Sequence, residues 1–473
     1  MSVVDYAVIA AYLIAITAFG SWFARFQKTT RDYFLTDRSI PWWAVCFTIV
    51  ATETSTLSFI GVPASAFAGN MTFLQLAVGY VIGRVIISLV FIPAYFRGDL
   101  FTSYELLQRR FGSPVKTLAA GIFLVTRTLA DGVRLFATAI VIAVVTGIPV
   151  GWTVVILGTA MIVYTARGGV SAVIWTDVVQ MFIYLAGAAA VFVALLVRIP
   201  GGWEEILRTG LAAGKFVVIN ASTDPKAVYT LWAGLLGGAT LTLATHGTDQ
   251  YLVQRLLSAR SSRDAAVGLV LSGVIVFAQF ALFLVIGIML FAYYQHAPLP
   301  TLGRADEILP QFVVTSLSGG VAGFIVAAIV AAALSPSLNA MAATTVNDFY
   351  RQYVRPHADE TTLMRISRLS TIGWGVLQIV VALAAQGMDR SVLDAGLLVL
   401  SLAAGPVLGA FLVGVLSTTV DARSMLAGMA VGLVLLGALW WTGAVAWTWY
   451  AFTGAAVTSL TAIAVAWVRP RVS

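Results

Sequence analysis

A carboxylate and five hydroxyl side chains stand inside one of the most apolar stretches of the chain. The segment "IVATETSTLSFIG", residues 49 to 61, carries Glu53 among hydroxyl residues, which are Thr52, Thr54, Ser55, Thr56 and Ser58. Gly61 and Pro63 follow, so the segment predicts a helix that is interrupted rather than continuous. Carbonyl groups freed at such a break can bind a cation, and half-helix N-termini favour anionic groups. The alternative, an unbroken helix whose hydroxyls bond back to its own carbonyls, leaves Glu53 unexplained.

The amino-acid composition indicates whether this segment lies in water or in a lipid bilayer. Of 473 residues, 60% are hydrophobic and 10% are charged, and the mean hydropathy is +0.93. A soluble globular chain carries roughly 25% charged residues. Apolar runs of about 20 residues, each long enough to cross a bilayer as a helix, recur along the whole length. The chain is therefore predicted to be an all-α integral membrane protein with one membrane domain.

Thirteen membrane helices are predicted from these runs. Their approximate bounds are 3–23, 41–69, 73–96, 117–147, 151–166, 169–197, 228–246, 265–293, 320–347, 366–385, 394–416, 424–443 and 445–468. Most of the 28 lysine and arginine residues fall in alternate loops. The positive-inside rule then places the C-terminus in the cytoplasm and the N-terminus outside. Orientation and contact with lipid headgroups explain the net charge of +7, so no nucleic-acid partner is expected.

Several kinds of site are disfavoured by the residue counts. The single cysteine, Cys46, excludes an intrachain disulfide and a cysteine-cluster metal site. The three histidines lack the spacing of metal ligands. The sequence also lacks paired aspartates or a histidine–acid cluster of the kind that a membrane-embedded enzyme needs, so enzymatic activity is not expected.

Ionisable residues at membrane depth are costly and often mark functional sites. Six are predicted there, namely Glu53, Arg84, Arg127, Asp131, Arg134 and Asp177. Arg127, Asp131 and Arg134 share one helix face because they are spaced four and three residues apart. Asp131 can pair with either arginine, which leaves the other for a substrate or for Glu53. Arg84 is interpreted as the partner of a neighbouring carboxylate.

A second polar, glycine-rich interruption lies in the seventh predicted helix. The chain reads "GGATLTLATHGTDQ" at residues 237 to 250. If the first helix is left out, the two interrupted helices open two successive groups of five with opposite orientation. Corresponding breaks in oppositely oriented halves point to a transporter site at the repeat interface. His246 has three interpretations: a substrate contact, a proton carrier or a polar residue at a helix end.

Four segments of the chain resemble the sodium:solute symporter family, whose members carry sugars, proline, sialic acid, vitamins and small carboxylates. They are "PWWAV" (41–45), "RGGVSAVIWTDVVQ" (167–180), "GTDQYLVQRLLSARS" (247–261) and "LSPSLNAMAATTVNDFY" (334–350). The resemblance implies a leucine-transporter-type fold in a single membrane transport domain, residues 1–473. Its parts are a leading helix at 3–23, inverted repeats at 41–197 and 228–416, and two C-terminal helices at 424–468.

The resemblance also implies which groups hold the coupling sodium ion. The backbone carbonyls of Ala51 and Thr54 match the family's first sodium site. Asp177 and Ser335 match residues that support a second sodium ion in some relatives. A multi-pass protein of the plasma membrane that takes up its solute together with Na⁺ is therefore expected.

The chain departs from the family in the helix that supplies hydroxyl ligands. The ungapped match places Ala332 and Ala333 where two hydroxyl residues usually stand, whereas an alignment with a three-residue deletion restores Ser335 as a ligand. Glu53 is a candidate replacement, since a hard cation prefers oxygen ligands. Burial without a partner instead favours the neutral, protonated carboxyl. Glu53 could then carry a proton, and H⁺ is the alternative coupling ion.

The expected function is symport of a small polar organic solute into the cell by alternating access. The residues predicted to contact the solute are Glu53, Ser55, Ser58, Arg134, Thr245 and His246. Arg134 favours a carboxylate, the hydroxyls suit a sugar or polyol, and Leu397 lies nearest to the position of a glutamine that sugar-carrying relatives use. Besides the solute and the lipid bilayer, no obligatory protein partner is expected. A transport-inactive solute sensor of the same fold is a further alternative.

Overall fold

The protein is mainly helical in the part of the chain that the computed structural model describes. Those residues are 2–22, 35–97, 100–317, 319–331, 337–388 and 391–468. Within them, an isolated parallel bridge between Ile40 and Ala259 is the one pairing of β type. The all-α prediction is therefore confirmed.

The helices are numbered in chain order over the described residues. They are α1 (Val3–Trp22), α2 (Trp42–Glu53), α3 (Thr56–Ala68), α4 (Leu74–Tyr95), α5 (Tyr104–Phe111), α6 (Ser113–Thr146), α7 (Val150–Arg198), α8 (Gly202–Ala212), α9 (Gly238–Gly247), α10 (Gln250–Leu257), α11 (Ser262–Tyr293), α12 (Ile308–Ser316), α13 (Val321–Ala331), α14 (Leu338–Thr344), α15 (Glu360–Ala384), α16 (Val392–Leu416), α17 (Ala422–Thr442) and α18 (Tyr450–Val468). Two π-helical stretches, Ala233–Gly237 and Thr345–Val354, adjoin α9 and α14.

The membrane crossings agree with the predicted spans in most places. Among the described residues, nine helices are long and apolar enough to cross, and the bent pair α2–α3 supplies a tenth crossing if counted as one. The number thirteen stays a prediction.

The predicted break between 151–166 and 169–197 is absent, since α7 is helical from Val150 to Arg198. Glycines between those spans weaken a helix without removing a hydrogen-bond donor, so the helix continues. Its 49 residues are about twice the number that one crossing needs, and its apolar parts, Val150–Val163 and Val170–Arg198, lie on either side of the predicted break.

Besides α10, three further short helices were not predicted from the sequence. The helices α5 and α8 are 8 and 11 residues long and carry charged side chains among their apolar ones. The third, α12, is a 9-residue apolar helix. All three are shorter than a membrane crossing requires, which is why a search for long apolar runs passes over them.

Helix α11 supports the bent pair from one side. It packs against α2, α3 and α4, and the rings of Phe59 and Phe283 lie 5.1 Å apart between α3 and α11. A Cβ atom at Gly287 would stand 2.2 Å from the Pro63 carbonyl oxygen. The missing side chain therefore lets α11 touch the backbone of α3 just past the bend.

Candidate functional site

The first predicted break is present and lies where the hydroxyl-rich segment is. Helix α2 ends at Glu53, α3 begins at Thr56, and their axes differ by 60°. Ser55 has extended backbone angles, φ −97° and ψ 178°. The interruption of the helix predicted from "IVATETSTLSFIG" is thus confirmed.

The carbonyl oxygens of Ala51 and Thr54 are among those that lose their helical partners at the break. In a continuous helix the N–H of Ser55 would bond to the carbonyl of Ala51, but it bonds to that of Glu53 at 3.0 Å. The N–H of Ser58 would likewise bond to Thr54, but it bonds to the Ser55 carbonyl at 2.9 Å. Ala51 and Thr54 are the residues to which the family resemblance assigns sodium-binding carbonyls, and both lie buried at the bend.

A second break separates α9 from α10. Helix α9 ends at Gly247, and α10 begins at Gln250 after Thr248 and Asp249. The Asp249 side chain caps α10 by accepting a hydrogen bond from the Tyr251 N–H at 2.8 Å. The glycine-rich interruption predicted at 237–250 therefore falls at its C-terminal end.

A cavity of about 740 Å³, counting its open mouth, lies between the two breaks. All six side chains predicted to contact a solute line it: Glu53, Ser55, Ser58, Arg134, Thr245 and His246. Much of the remaining wall is apolar. Helix α16 contributes most of it, with Leu397 among its residues, and aromatic side chains such as Tyr80 and Phe280 complete it. Helix packing thus brings together residues from six separate parts of the sequence, and the role of the six predicted contacts as ligands remains a prediction.

Glu53 is paired inside the protein. Its carboxylate accepts a hydrogen bond from the guanidinium of Arg84, whose side chain is 0% exposed, against 11% for Glu53. Nη2 of Arg84 also lies 3.1 Å from Nε2 of His246. The interpretation of Arg84 as the partner of a carboxylate holds, and Glu53 faces the cavity and not lipid.

The three ionisable residues on the shared face of α6 form a longer network. Oδ1 of Asp131 lies 3.8 Å from Nη1 of Arg127 and 3.8 Å from Nη1 of Arg134. Arg127 also forms an ion pair with Asp249, and Ser337 donates a hydrogen bond to Asp131. Asp131 therefore stands between both arginines, and the second break supplies a carboxylate for Arg127.

Asp177 is bound by protein groups from α2 and α10. Its Oδ2 accepts hydrogen bonds from Oγ1 of Thr48 at 2.6 Å and from Nη2 of Arg255 at 3.0 Å. Both Asp177 and Arg255 are buried. Ser335, Ala332 and Ala333 lie outside the described residues.

The sequence interpretation overlooked two partners. Arg255 lies between the predicted helices 228–246 and 265–293, in a predicted loop, but it is 1% exposed and is paired with Asp177. Asp249 lay beyond the predicted end of the seventh helix and was not counted among charges at membrane depth. The motif "GTDQYLVQR" contains both residues, and its polar side chains at helical spacing were the signal available.

These features define a class of protein. A bundle of apolar helices with two helices broken in mid-course, freed carbonyls at one break and a polar cavity between them is the architecture of a secondary transporter. The model of the sodium:solute symporter family matches residues 33–432, and the chain belongs to this family. Its activity is sodium-coupled symport of a small solute.

Individual relatives agree with this assignment. The chain is 30% identical to the sodium/iodide cotransporter of Homo sapiens over 453 residues, which cover 92% of this chain and 69% of that protein. It is 30% identical over 445 residues to the sodium/sialic acid symporter NanT of Aliivibrio fischeri, covering 92% and 87%. A solved structure of a Na⁺-coupled sialic acid symporter, substrate-bound and outward-open, superposes with a TM-score of 0.92 at 26% identity, over 99% of this chain and 98% of that one.

Proposed function

We propose that the chain takes up a small polar organic solute, held in the cavity between the two helix breaks, together with Na⁺ bound at the carbonyls of Ala51 and Thr54. The observation that carries this proposal is the redirection of the Ser55 and Ser58 N–H groups. It leaves both carbonyls without their usual helical partners, right beside the cavity. Carbonyl oxygens are suitable ligands for a hard cation.

The coupling rests on the nearness of the two sites. The sodium carbonyls and the solute-facing hydroxyls of Ser55 and Ser58 belong to one short segment of chain. A bound ion therefore orders the backbone that carries these hydroxyls, and a bound solute does the same for the carbonyls. Bound Na⁺ then raises the affinity for the solute, and bound solute raises the affinity for Na⁺ by the same factor.

An organic anion is the class of solute that the cavity favours. Arg134 and Arg127 both line it, and Arg127 is paired with Asp249 and Asp131. A planar guanidinium suits a carboxylate group. The names of the relatives, which include sialic acid and monocarboxylate carriers, support the same class. The polar side chains Glu53, Ser55, Ser58, Thr245 and His246 would hold hydroxyl or amide groups of that anion.

A second sodium ion at Asp177 and Ser335 remains a proposal on the resemblance alone. In the structure the Asp177 carboxylate is held by Arg255 and Thr48. A sodium ion there would have to share the carboxylate with a guanidinium. One bound sodium ion is therefore the simpler proposal.

The proposed cycle is alternating access, with the inverted repeats at 41–197 and 228–416 moving around the site. The N-terminus is proposed to lie outside and the C-terminus in the cytoplasm, on the distribution of basic residues. A monovalent anion that enters with one Na⁺ transfers no net charge, so the inward concentration gradient of Na⁺ supplies the free energy for transport. Uptake is therefore the proposed direction.

A two-stage experiment tests the proposal. Purified protein is first screened by thermal shift against carboxylates, sugars and amino acids, each with Na⁺ and with K⁺, because a ligand of the folded state raises the melting temperature. The best solute is then followed into proteoliposomes under a Na⁺ gradient at equal pH on both sides. Concentrative uptake that needs Na⁺ is expected. Uptake that ignores Na⁺ and follows an imposed pH gradient would reject the proposed sodium site.

A further inference from the structure

Another cavity lies at the end of the bundle that carries α5, and it shares no described lining residue with the solute cavity. It measures about 730 Å³, counting its open mouth. Its wall comes from α5, the start of α6, the π-helical stretch Thr345–Val354 and Pro356 just after that stretch. Among the described residues that line it, all except Pro356 are polar, and two of them are the arginines Arg109 and Arg351. In a chain that is 60% hydrophobic, such a wall indicates a site for a polar ligand.

Lys116 gives this cavity a fixed and buried cation. Its side chain is 4% exposed, and its Nζ atom lies 3.1 Å from Oδ1 of Asp348. The same Nζ atom donates a hydrogen bond to Oε1 of Gln108 at 2.9 Å, and Thr102 donates to Asp348 at 2.9 Å. This network joins α5 and α6, from the first predicted repeat, to the π-helical stretch in the second.

The π-helical stretch supplies further polar groups. Its hydrogen bonds run from one residue to the fifth one after it, so Asn347 and Gln352 stand one wide turn apart, with Arg351 next to Gln352. All three line the cavity. Oε1 of Gln352 is buried and has no hydrogen-bond partner within the described part of the chain. Stretches of π-helix are frequent at functional sites, and a buried amide oxygen without a protein partner points to a ligand.

The charges around the cavity indicate the class of ligand. Three cations, Lys116, Arg109 and Arg351, are set against the two carboxylates of Glu105 and Asp348. One positive charge is therefore in excess among these groups. Guanidinium groups bind phosphate oxygens through paired N–H donors, and a phosphodiester with one negative charge would balance the excess.

We propose that this cavity binds a phosphate group, with Arg109 of α5 and Arg351 of the π-helical stretch donating hydrogen bonds to its oxygens. Both segments lie in or beside predicted loops of the set that is rich in lysine and arginine, at the depth of phospholipid headgroups. Basic pockets between membrane helices on the cytoplasmic side bind anionic headgroups. A soluble phosphate offers the same chemistry. Because the ligand would contact both predicted repeats, its binding stabilises the arrangement in which they meet here.

Calorimetric titration of the purified full chain tests this proposal, in a neutral maltoside detergent at low salt and without Na⁺ or solute. The probes are dihexanoyl phosphatidylglycerol below its micelle-forming concentration, dihexanoyl phosphatidylcholine as its zwitterionic counterpart, and inorganic phosphate. Phosphatidylglycerol should bind about tenfold more tightly than phosphatidylcholine, because its net negative charge balances the excess charge of the cavity. Binding of phosphatidylglycerol without binding of inorganic phosphate identifies a lipid headgroup as the ligand. Binding of inorganic phosphate identifies a soluble source.

Variants locate the binding in this cavity. Arg109→Gln/Arg351→Gln removes both guanidinium groups and should weaken binding at least about tenfold. Arg263→Gln/Arg423→Gln is the matched control, since it removes two exposed arginines from loops of the same predicted set and should keep the wild-type affinity. Gln352→Leu changes no charge and should weaken binding about three- to tenfold.

Several results would overturn the proposal. Equal losses in the arginine pair and in its control would show attraction to general surface charge and no defined site. Binding of none of the probes, or equal binding of the two lipids, would also reject it. If the arginine pair does not fold, wild-type affinity in Gln352→Leu rejects it alone. Because Na⁺ and solute are absent from the titration, none of these results bears on the proposed sodium and solute sites, and failure of those sites leaves this one standing.

Discussion

Two buried arginine–carboxylate pairs fasten α2, and they do so in different surroundings. The pair of Glu53 and Arg84 borders the cavity, with the Glu53 side chain 11% exposed. The pair of Asp177 and Arg255 is closed off, with side chains 0% and 1% exposed. The Glu53–Arg84 pair therefore belongs to the cavity wall at one end of α2. The Asp177–Arg255 pair forms a joint between helices near the middle of α2.

The difference shows that ionised side chains inside a membrane protein can have two separate roles, one in joining helices and one in lining a cavity. At the joint, both ions are bonded to each other and to the hydroxyl of Thr48, so the group ties together α2, α7 and α10. At the cavity wall, the Glu53 carboxylate stays partly exposed, so a bound solute can contact it. Loss of a joint residue should then affect stability, and loss of a wall residue should affect binding.

The largest effect is expected from breaking the joint. Arg255→Met leaves the Asp177 carboxylate buried without its cation, which should lower the free energy of unfolding by about 3–5 kcal/mol. Reversible unfolding in mixed micelles measures this loss. The double variant Arg255→Met/Asp177→Asn removes both charges and should recover most of it. A single variant as stable as the wild type would show that the pair is not a joint.

A smaller effect, on binding and not on stability, is expected at the wall. Arg134→Ala should weaken a carboxylate ligand by about 10- to 100-fold, since a hydrogen bond to a charged group contributes roughly 1.5–3 kcal/mol. Calorimetric titration with the carboxylate found in the screen measures it. Leu129→Ala, on the outer face of the same helix, is the matched control. Equal affinity in Arg134→Ala and this control would remove Arg134 from the solute site.

Substitutions of Thr48 at the joint and Thr245 at the cavity wall provide a further test of the difference between the two regions. Thr48→Val removes the hydroxyl that donates to Asp177 at 2.6 Å and should cost about 1–3 kcal/mol of stability because a charged acceptor loses a partner. Thr245→Val removes a cavity hydroxyl beside His246 and should change ligand affinity more than stability. Thermal melting and ligand titration of both variants provide the check. If the two variants exchange these effects, the division into joint and wall is wrong.

The smallest effect is expected outside the membrane. On α8, hydrogen bonds from Arg208, Thr209 and His296 lower the pKa of Glu205 to about 2. Because the folded pKa lies below the unfolded value of about 4.3, this group stabilises the protein above that value and loses its contribution as pH falls toward 2. The melting temperature of Glu205→Gln should lie slightly below wild type at both pH 7 and pH 5. A difference that vanishes already at pH 5 would contradict the lowered pKa.

Much of the fold was predictable because its signals are local. Long apolar runs predict crossings wherever they occur, and hydroxyls followed by Gly61 and Pro63 predict a break within a few residues of its place. The same method failed at α7, where it expected two helices, because glycine lowers helix stability without ending a helix. It also passed over α5, α8 and α12, whose lengths fall below that of a crossing.

The candidate site was predictable in membership but not in pairing. Six proposed solute contacts line one cavity, since each was chosen for being polar at membrane depth near a break. The sequence could not assign Asp249 to Arg127, which stands 122 residues earlier, or Arg255 to Asp177, 78 residues away. Such pairs depend on which helix faces meet.

By itself the sequence determined that the protein lies in a membrane, which family it belongs to and where the two breaks fall. The reason is that hydropathy, motif order and helix-breaking residues act over short stretches of chain. Tertiary structure alone decided that Glu53 meets Arg84 and that His246 lies against the same guanidinium. A charge in a low-dielectric interior is governed by its nearest neighbours in space. Those neighbours come from three helices whose faces meet only after packing.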